Sequence, residues 1–227
     1  MQASPSSSCF AGSESVLLQS GAELSISEVA VGDKVLAANA QGDMSFSEVV
    51  AVPHGRNREN ALFTRIATAS QRDIKMTPDH LVLAAPDCAS FSLVAASTVQ
   101  AGDCLRTVDG AEKLVSVSVV EGQGVYSLVT KEESVVVNGV VASPFAGNHA
   151  AAHAFYNIHR VLYSMAPAVL ASGGLKRRTR ECYHAVCCTG DCGAFYRRPL
   201  LGLLHRLDDN RCRVLLRCLP FSFAANA

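Results

Sequence analysis

Tryptophan is absent from this 227-residue chain, and the aromatic residues together make up only 6% of it. No apolar run approaches the ~20 residues of a membrane-spanning helix, so an integral helical membrane protein is not expected. Net charge is missing as well: 20 basic side chains balance 20 acidic ones. A zero balance argues against a nucleic-acid or membrane surface spread over the whole chain. The first eight residues, MQASPSSS, carry neither a positive n-region nor an apolar h-region, and so do not read as a signal peptide. They read as a short polar lead without order of its own. What is present is apolar. Hydrophobic residues make up 49% and charged residues 18% of the chain, and the mean hydropathy is +0.20. That excludes a disordered chain and predicts one domain with a sizeable core and room for an appendage.

The zero balance hides a split at Gly173. Residues 1–172 carry 10 basic and 16 acidic side chains, net −6, whereas residues 173–227 carry 10 and 4, net +6. Cysteine divides in the same way. Cys9, Cys88 and Cys104 precede the joint; Cys182, Cys187, Cys188, Cys192, Cys212 and Cys218 follow it. Gly173-Gly174 before Lys176-Arg177-Arg178 marks the joint itself.

Before that joint the chain reads as many short strands. Val16–Leu18, Lys34–Ala37, Phe46–Val52, Phe63–Thr68, Ile74–Met76, His80–Ala84, Leu114–Val120 and Ser134–Val141 are apolar or β-branched runs of strand length. Turn formers such as Gly32-Asp33, Gln41-Gly42-Asp43, Gly102-Asp103 and Asn138-Gly139 separate them. This spacing predicts an all-β fold. The one helical pattern runs from His149 to about Leu162, Ala-rich with apolar residues at helical spacing. There is also an internal repeat. Ser25–Ala37 (SISEVAVGDKVLA) matches Ala95–Thr107 (AASTVQAGDCLRT), and each copy leads into a Val-rich strand, an aromatic-led strand ending in Thr, and a β pair. Two copies suggest a pseudo-twofold fold; a solenoid needs three or more.

Cys9, Thr77 and His80 form the informative constellation. Cys9-Phe10 opens the apolar region, and Thr77-Pro78-Asp79-His80 lies between two strands of the first repeat. The matching stretch of the second repeat, about Asn138–Val141, has neither Thr nor His. Taken singly, Cys9 reads as a small buried hydrophobe, His80 as a core histidine and Thr77 as a turn residue. Taken together they can do chemistry. A thiol beside its own upstream peptide bond can attack that carbonyl, turning the Ser8–Cys9 amide into a thioester. An imidazole suits the proton transfers, above all donation to the departing Cys9 nitrogen. A Thr hydroxyl or backbone N–H can hold the carbonyl oxygen as it gains charge.

The segments CFAGSESVLLQSG, ISEVAVGDKVLA, FSEV, MTPDHLVLAA and VVVNGVVASPFA resemble, in order, the blocks of a Hint (hedgehog/intein) domain of the hedgehog type. The match runs from Cys9 to about Ala146. The resemblance implies an all-β, horseshoe-like pseudo-twofold fold and autocatalytic, single-turnover, cysteine-dependent self-cleavage through an internal thioester. It places Cys9 on the nucleophile, Thr77 and His80 on the motif that activates the scissile bond, and Ser8–Cys9 on the bond itself. The substrate is then the N-terminal flanking polypeptide in cis. The thioester is resolved by water, a thiol or a sterol-like alcohol, with no cofactor, no metal and no nucleic acid. It also suggests a secretory or extracellular setting.

The chain departs from the pattern at four places. Ser8 stands where hedgehog domains usually have Gly. His54 stands where they carry an Asp that activates the sterol acceptor, so acceptor activation is assigned to His54. Pro144 replaces a Cys. No terminal His-Asn follows the last strand, which reads Val141-Ala142-Ser143-Pro144, so splicing is not expected. The competing readings are a non-cleaving Hint-like binding scaffold, a trans-acting cysteine hydrolase built on Cys9 and His80, and metal or nucleic-acid binding by the basic tail.

The expected organisation is a polar lead over 1–8, the Hint domain over 9–147, a helical extension over 148–172 and a basic Cys-rich tail over 173–227. Cys88 and Cys104 read as inert. His149, His153 and His159 read as part of a helix packed on the β domain, not as a metal site, since no third ligand accompanies a helical pair. The tail cysteines match no zinc spacing. They are open to three disulfides, to free thiols, or to an unstructured extension.

Overall fold

A computed structural model describes residues 9–54, 59–147 and 149–165. The polar lead Met1–Ser8, residues 55–58 and the whole basic tail with its six cysteines lie outside the described residues.

The strands are β1 (Phe10–Ala11), β2 (Ser15–Leu17), β3 (Glu23–Ser25), β4 (Lys34–Ala38), β5 (Met44–His54), β6 (Asn60–Thr68), β7 (Asp73–Met76), β8 (His80–Ala85), β9 (Ser92–Ala95), β10 (Cys104–Thr107), β11 (Gly110–Gln123), β12 (Val125–Thr130), β13 (Ser134–Val137) and β14 (Val140–Ala146). A single α-helix among the described residues, α1 (His149–Met165), follows. Alternation drives the half-buried strands. In β7, Ile74 and Met76 are buried while Asp73 and Lys75 are only partly so, the period-two pattern of one core-facing side. The predicted strand over Ser134–Val141 is two strands. Asn138 and Gly139 both have positive φ, +48° and +75°, and close a two-residue hairpin between β13 and β14.

The repeat seen in the sequence is real down to its hydrogen bonds. Gly32 and Gly102 have φ of +102° and +101°, a region open to glycine and strained for other residues. The Gly32 amide donates to Val49 O and the Gly102 amide to Leu114 O, both at 2.9 Å. The Asp33 and Asp103 carboxylates accept from the amides of Ala30 and Gln100 at 2.8 and 2.9 Å. The two halves then exchange strands. β5 of the first half pairs with β12 of the second, and β11 of the second pairs with β6 of the first. The pairings β4–β13 and β8–β10 repeat the exchange. The result is an all-β, pseudo-twofold fold in which neither half completes its own sheet.

Phe10, Val35, Ile66, Ile74, Met76, Leu105 and Leu128 fill the main core, all fully buried. A second cluster joins α1 to the sheet through Val50, Val129, Phe145, Ala152, Tyr156 and Tyr163. Arg160 is two-fold useful there: its guanidinium donates to the carbonyls of Thr130 and Glu132. His159 bonds Val50 O at 3.2 Å. The helix thus packs on the β domain, and its histidines and arginine serve that packing. Cys88 and Cys104, read from the sequence as inert without a pairing, are joined in a disulfide across a Cα–Cα distance of 5.0 Å, within the ordinary range. It ties the turn after β8 to β10.

Candidate functional site

β1 is short, but it is inserted between two partners. Phe10 pairs with Met76 of β7 on one side and Tyr126 of β12 on the other. This fixes the residue just before it, Cys9, which is fully buried and takes part in no disulfide. β7 ends at Met76, so the next residue, Thr77, arrives opposite Cys9. The Thr77 amide donates to Cys9 O at 2.8 Å. The Cys9 amide donates to Thr77 Oγ1 at 3.1 Å.

Pro78 then turns the chain. The His80 amide donates to Thr77 O at 3.0 Å, closing a four-residue turn with Pro in the position that favours it. His80 starts β8 and is fully buried. Its ring lies 4.2 Å from the ring of Phe10, tilted by 55°. Its Nε2 is 2.7 Å from Ser143 O. A carbonyl only accepts, so this bond is made from Nε2–H, and a second backbone hydrogen bond ties the ring to Cys9. Burial pushes the His80 pKa down to about 4, against the raising effect of backbone hydrogen bonds with Ser143 and Cys9. At neutral pH the ring is uncharged.

The expected trio is therefore assembled. The sequence spacing anticipated that Thr77 and His80 flank one turn. The Thr77 hydroxyl accepts from the nitrogen of the Ser8–Cys9 bond. Ser8 and its carbonyl lie outside the described residues. His54 ends β5 with its backbone in register with Ser127, the neighbour of Tyr126 that pairs with Phe10. Sequence reasoning missed Ser143 and Ser127. Ser127 Oγ donates to Pro144 O at 3.1 Å. Both serines sit in apolar strands, and only long-range pairing brings them to the site. Among the described residues no group of three or more His, Cys, Asp or Glu could hold a metal ion. No helix among them is long and apolar enough to cross a membrane.

Comparison with known proteins gives the family and the fold. The family model of the Hint module matches residues 1–186. The chain is similar to Protein hedgehog of Drosophila virilis, 30% identical over 176 residues, covering 74% of this chain and 36% of that protein. Warthog protein 6 of Caenorhabditis elegans is 34% identical over 143 residues, 60% of this chain and 24% of that protein. The chain spans about a third or less of the length of these relatives. Among solved structures, a DnaB intein from Synechocystis superposes with a TM-score of 0.51 at 18% identity, covering 62% of this chain and 99% of the intein. The precursor of a KlbA intein from Methanococcus jannaschii gives 0.54 at 16% identity, covering 65% and 96%. At such identity the likeness is one of fold.

Proposed function

This chain belongs to the Hint module family, and on that premise we propose that it processes itself by cleaving the bond ahead of Cys9. Cys9 Sγ attacks the Ser8 carbonyl carbon, and the thiol proton passes to the neutral His80 ring. The C–N bond breaks, the same proton passes to the Cys9 nitrogen, and the Ser8 acyl group is left on sulfur as a thioester. A buried imidazole suits both halves of this transfer. It is uncharged and able to accept, and once charged it is a strong acid in a dry site. The Thr77 hydroxyl accepts from the Cys9 N–H in the amide and can donate once that nitrogen becomes an amine, because a hydroxyl does both.

An external nucleophile then attacks the thioester carbon. Its bond to carbon forms as the C–S bond breaks, and its proton passes to the thiolate. Water releases the upstream polypeptide as an acid, a thiol as a new thioester, and a sterol-like alcohol as an ester. His54, at the end of the strand in register with Ser127, is assigned the activation of that nucleophile. No His-Asn pair closes β14 to release a second bond, so the reaction stops at cleavage. The Cys88–Cys104 disulfide fits an oxidising compartment, secretory or extracellular.

The observation that carries this reading is the Cys9 amide nitrogen held by Thr77 one Pro turn from a buried neutral His80. The test fuses a folded reporter ahead of Met1 and follows intact mass with and without hydroxylamine, which attacks thioesters and spares disulfides. Nucleophile-accelerated loss of the reporter with a break at Ser8–Cys9, abolished by Cys9→Ala, is the expected result. A fusion that stays whole under all conditions overturns it in favour of a non-cleaving binding scaffold.

A further inference from the structure

β14 leaves its ladder at one place. Its pairing with β8 runs from Ala142↔Val82 to Ala146↔His80, so Ser143, Pro144 and Phe145 face one residue of β8. The extra residues form a bulge that takes backbone groups out of the ladder. Buried groups released in this way need other partners, and three of them find one in side chains. Ser143 O accepts from His80 Nε2 at 2.7 Å. Pro144 O accepts from Ser127 Oγ, and Pro144 has no N–H to satisfy. The Phe145 amide donates to Ser143 Oγ at 3.0 Å.

The Ser143 hydroxyl carries a further bond, 2.8 Å to Nδ1 of His149, the first residue of α1. Since the oxygen already accepts from Phe145, its own proton is free to go to the Nδ1 of neutral His149. The His149 ring is itself held, packed on Phe145 at 5.6 Å and stacked on His153 at 5.7 Å between centroids.

Resting on the role given to His80 above, we propose that Ser143 and His149 are positioning residues for His80. His149 anchors the Ser143 hydroxyl, the hydroxyl shapes the bulge, and the bulge aims the carbonyl that holds the His80 Nε2–H. With Nε2 tied to Ser143 and the ring also hydrogen-bonded to the Cys9 backbone, the imidazole is held against the residue it serves. Neither Ser143 nor His149 touches the reacting atoms. The helix is then part of the cleavage apparatus, and its first residue does more than pack.

The test uses the full chain with a reporter ahead of Met1. Ser143→Ala and His149→Ala are expected to slow hydroxylamine-induced release about tenfold or more, the scale of misplacing a reacting group. His149→Asn, whose amide oxygen can take the place of Nδ1, is expected to recover most of the rate. In a Cys9→Ala background, imidazole 15N–1H spectra should show His80 as the Nε2–H tautomer, and His149→Ala should mix the tautomers. A His149→Ala protein that releases at the parental rate overturns the proposal. So does one that is slow and less stable yet keeps the His80 tautomer, or a His149→Asn protein as slow as His149→Ala. Parental release by His80→Ala is a different failure: it overturns the role of His80 itself.

Discussion

Cys9 and Thr77 exchange two hydrogen bonds, Cys9 N–H to Thr77 Oγ1 at 3.1 Å and Thr77 N–H to Cys9 O at 2.8 Å. One side chain thereby replaces a rung of the sheet. A backbone carbonyl in that place would make an ordinary ladder; a hydroxyl puts a group able to accept and donate on the nitrogen of the Ser8–Cys9 bond. Thr77→Ala is expected to slow nucleophile-induced cleavage by about 100-fold, the lower end of the range for one proton-transfer group. Thr77→Ser, which keeps the hydroxyl, should retain most of the rate. A time course of intact mass measures both, and equal rates for Thr77→Ala and the parent refute the role.

His80 links stability to pH. Its folded pKa lies near 4, below the ordinary 6.5, chiefly because burial penalises the charged ring. The unfolded chain therefore binds this proton more readily than the folded one. The stabilisation is present above pH 6.5 and is lost as pH falls toward 4, on the order of 3 kcal/mol at most. Urea titrations of the Cys9→Ala protein between pH 7 and 4 should show that loss. Adding His80→Gln should flatten the curve in this window. An unchanged slope refutes the assignment.

The Cys88–Cys104 disulfide closes a short loop, with a sequence separation of 16. Loop closure of this size is worth about 3 kcal/mol in the chain-entropy account. Cys88→Ser with Cys104→Ser is expected to lower the unfolding midpoint while leaving hydroxylamine-induced release within about twofold of parental at 25 °C, since a loss of about 3 kcal/mol still leaves a typical domain folded. Thermal melts and release rates together check this, and a melting temperature equal to the parent refutes it.

Gly12 lies where no side chain fits. A Cβ there would stand 2.8 Å from the Tyr126 ring and 3.0 Å from Gln123 O. Tyr126 pairs with Phe10, so pushing it aside loosens the strand that holds Cys9. Gly12→Ala is expected to destabilise by about 1–3 kcal/mol, the usual cost of overpacking, and to slow cleavage as well. Denaturant titration and release rates would reveal a neutral substitution if this packing is not limiting.

Much of this protein was legible in its residues. Period-two apolar runs marked the strands, the Gly32-Asp33 and Gly102-Asp103 turns marked the repeat, and Thr-Pro-Asp-His placed two polar groups on one turn. These are local signals, set by pleat geometry, by the glycine-only region of φ and by the fixed φ of proline, so a short stretch of sequence determines them. What only the tertiary structure decided was partnership. The alternation in β5 says that one face is buried, but not that β12 of the other repeat lies beside it. The same is true of Cys88 with Cys104, of Ser143 with His80 across 63 positions, and of the bulge that His149 closes. A strand's periodicity specifies which side chains point inward and carries no information on which strand supplies the neighbouring edge. That choice falls to the packing of the whole core, where the exchange of strands between the two halves lets both bury their apolar faces at once.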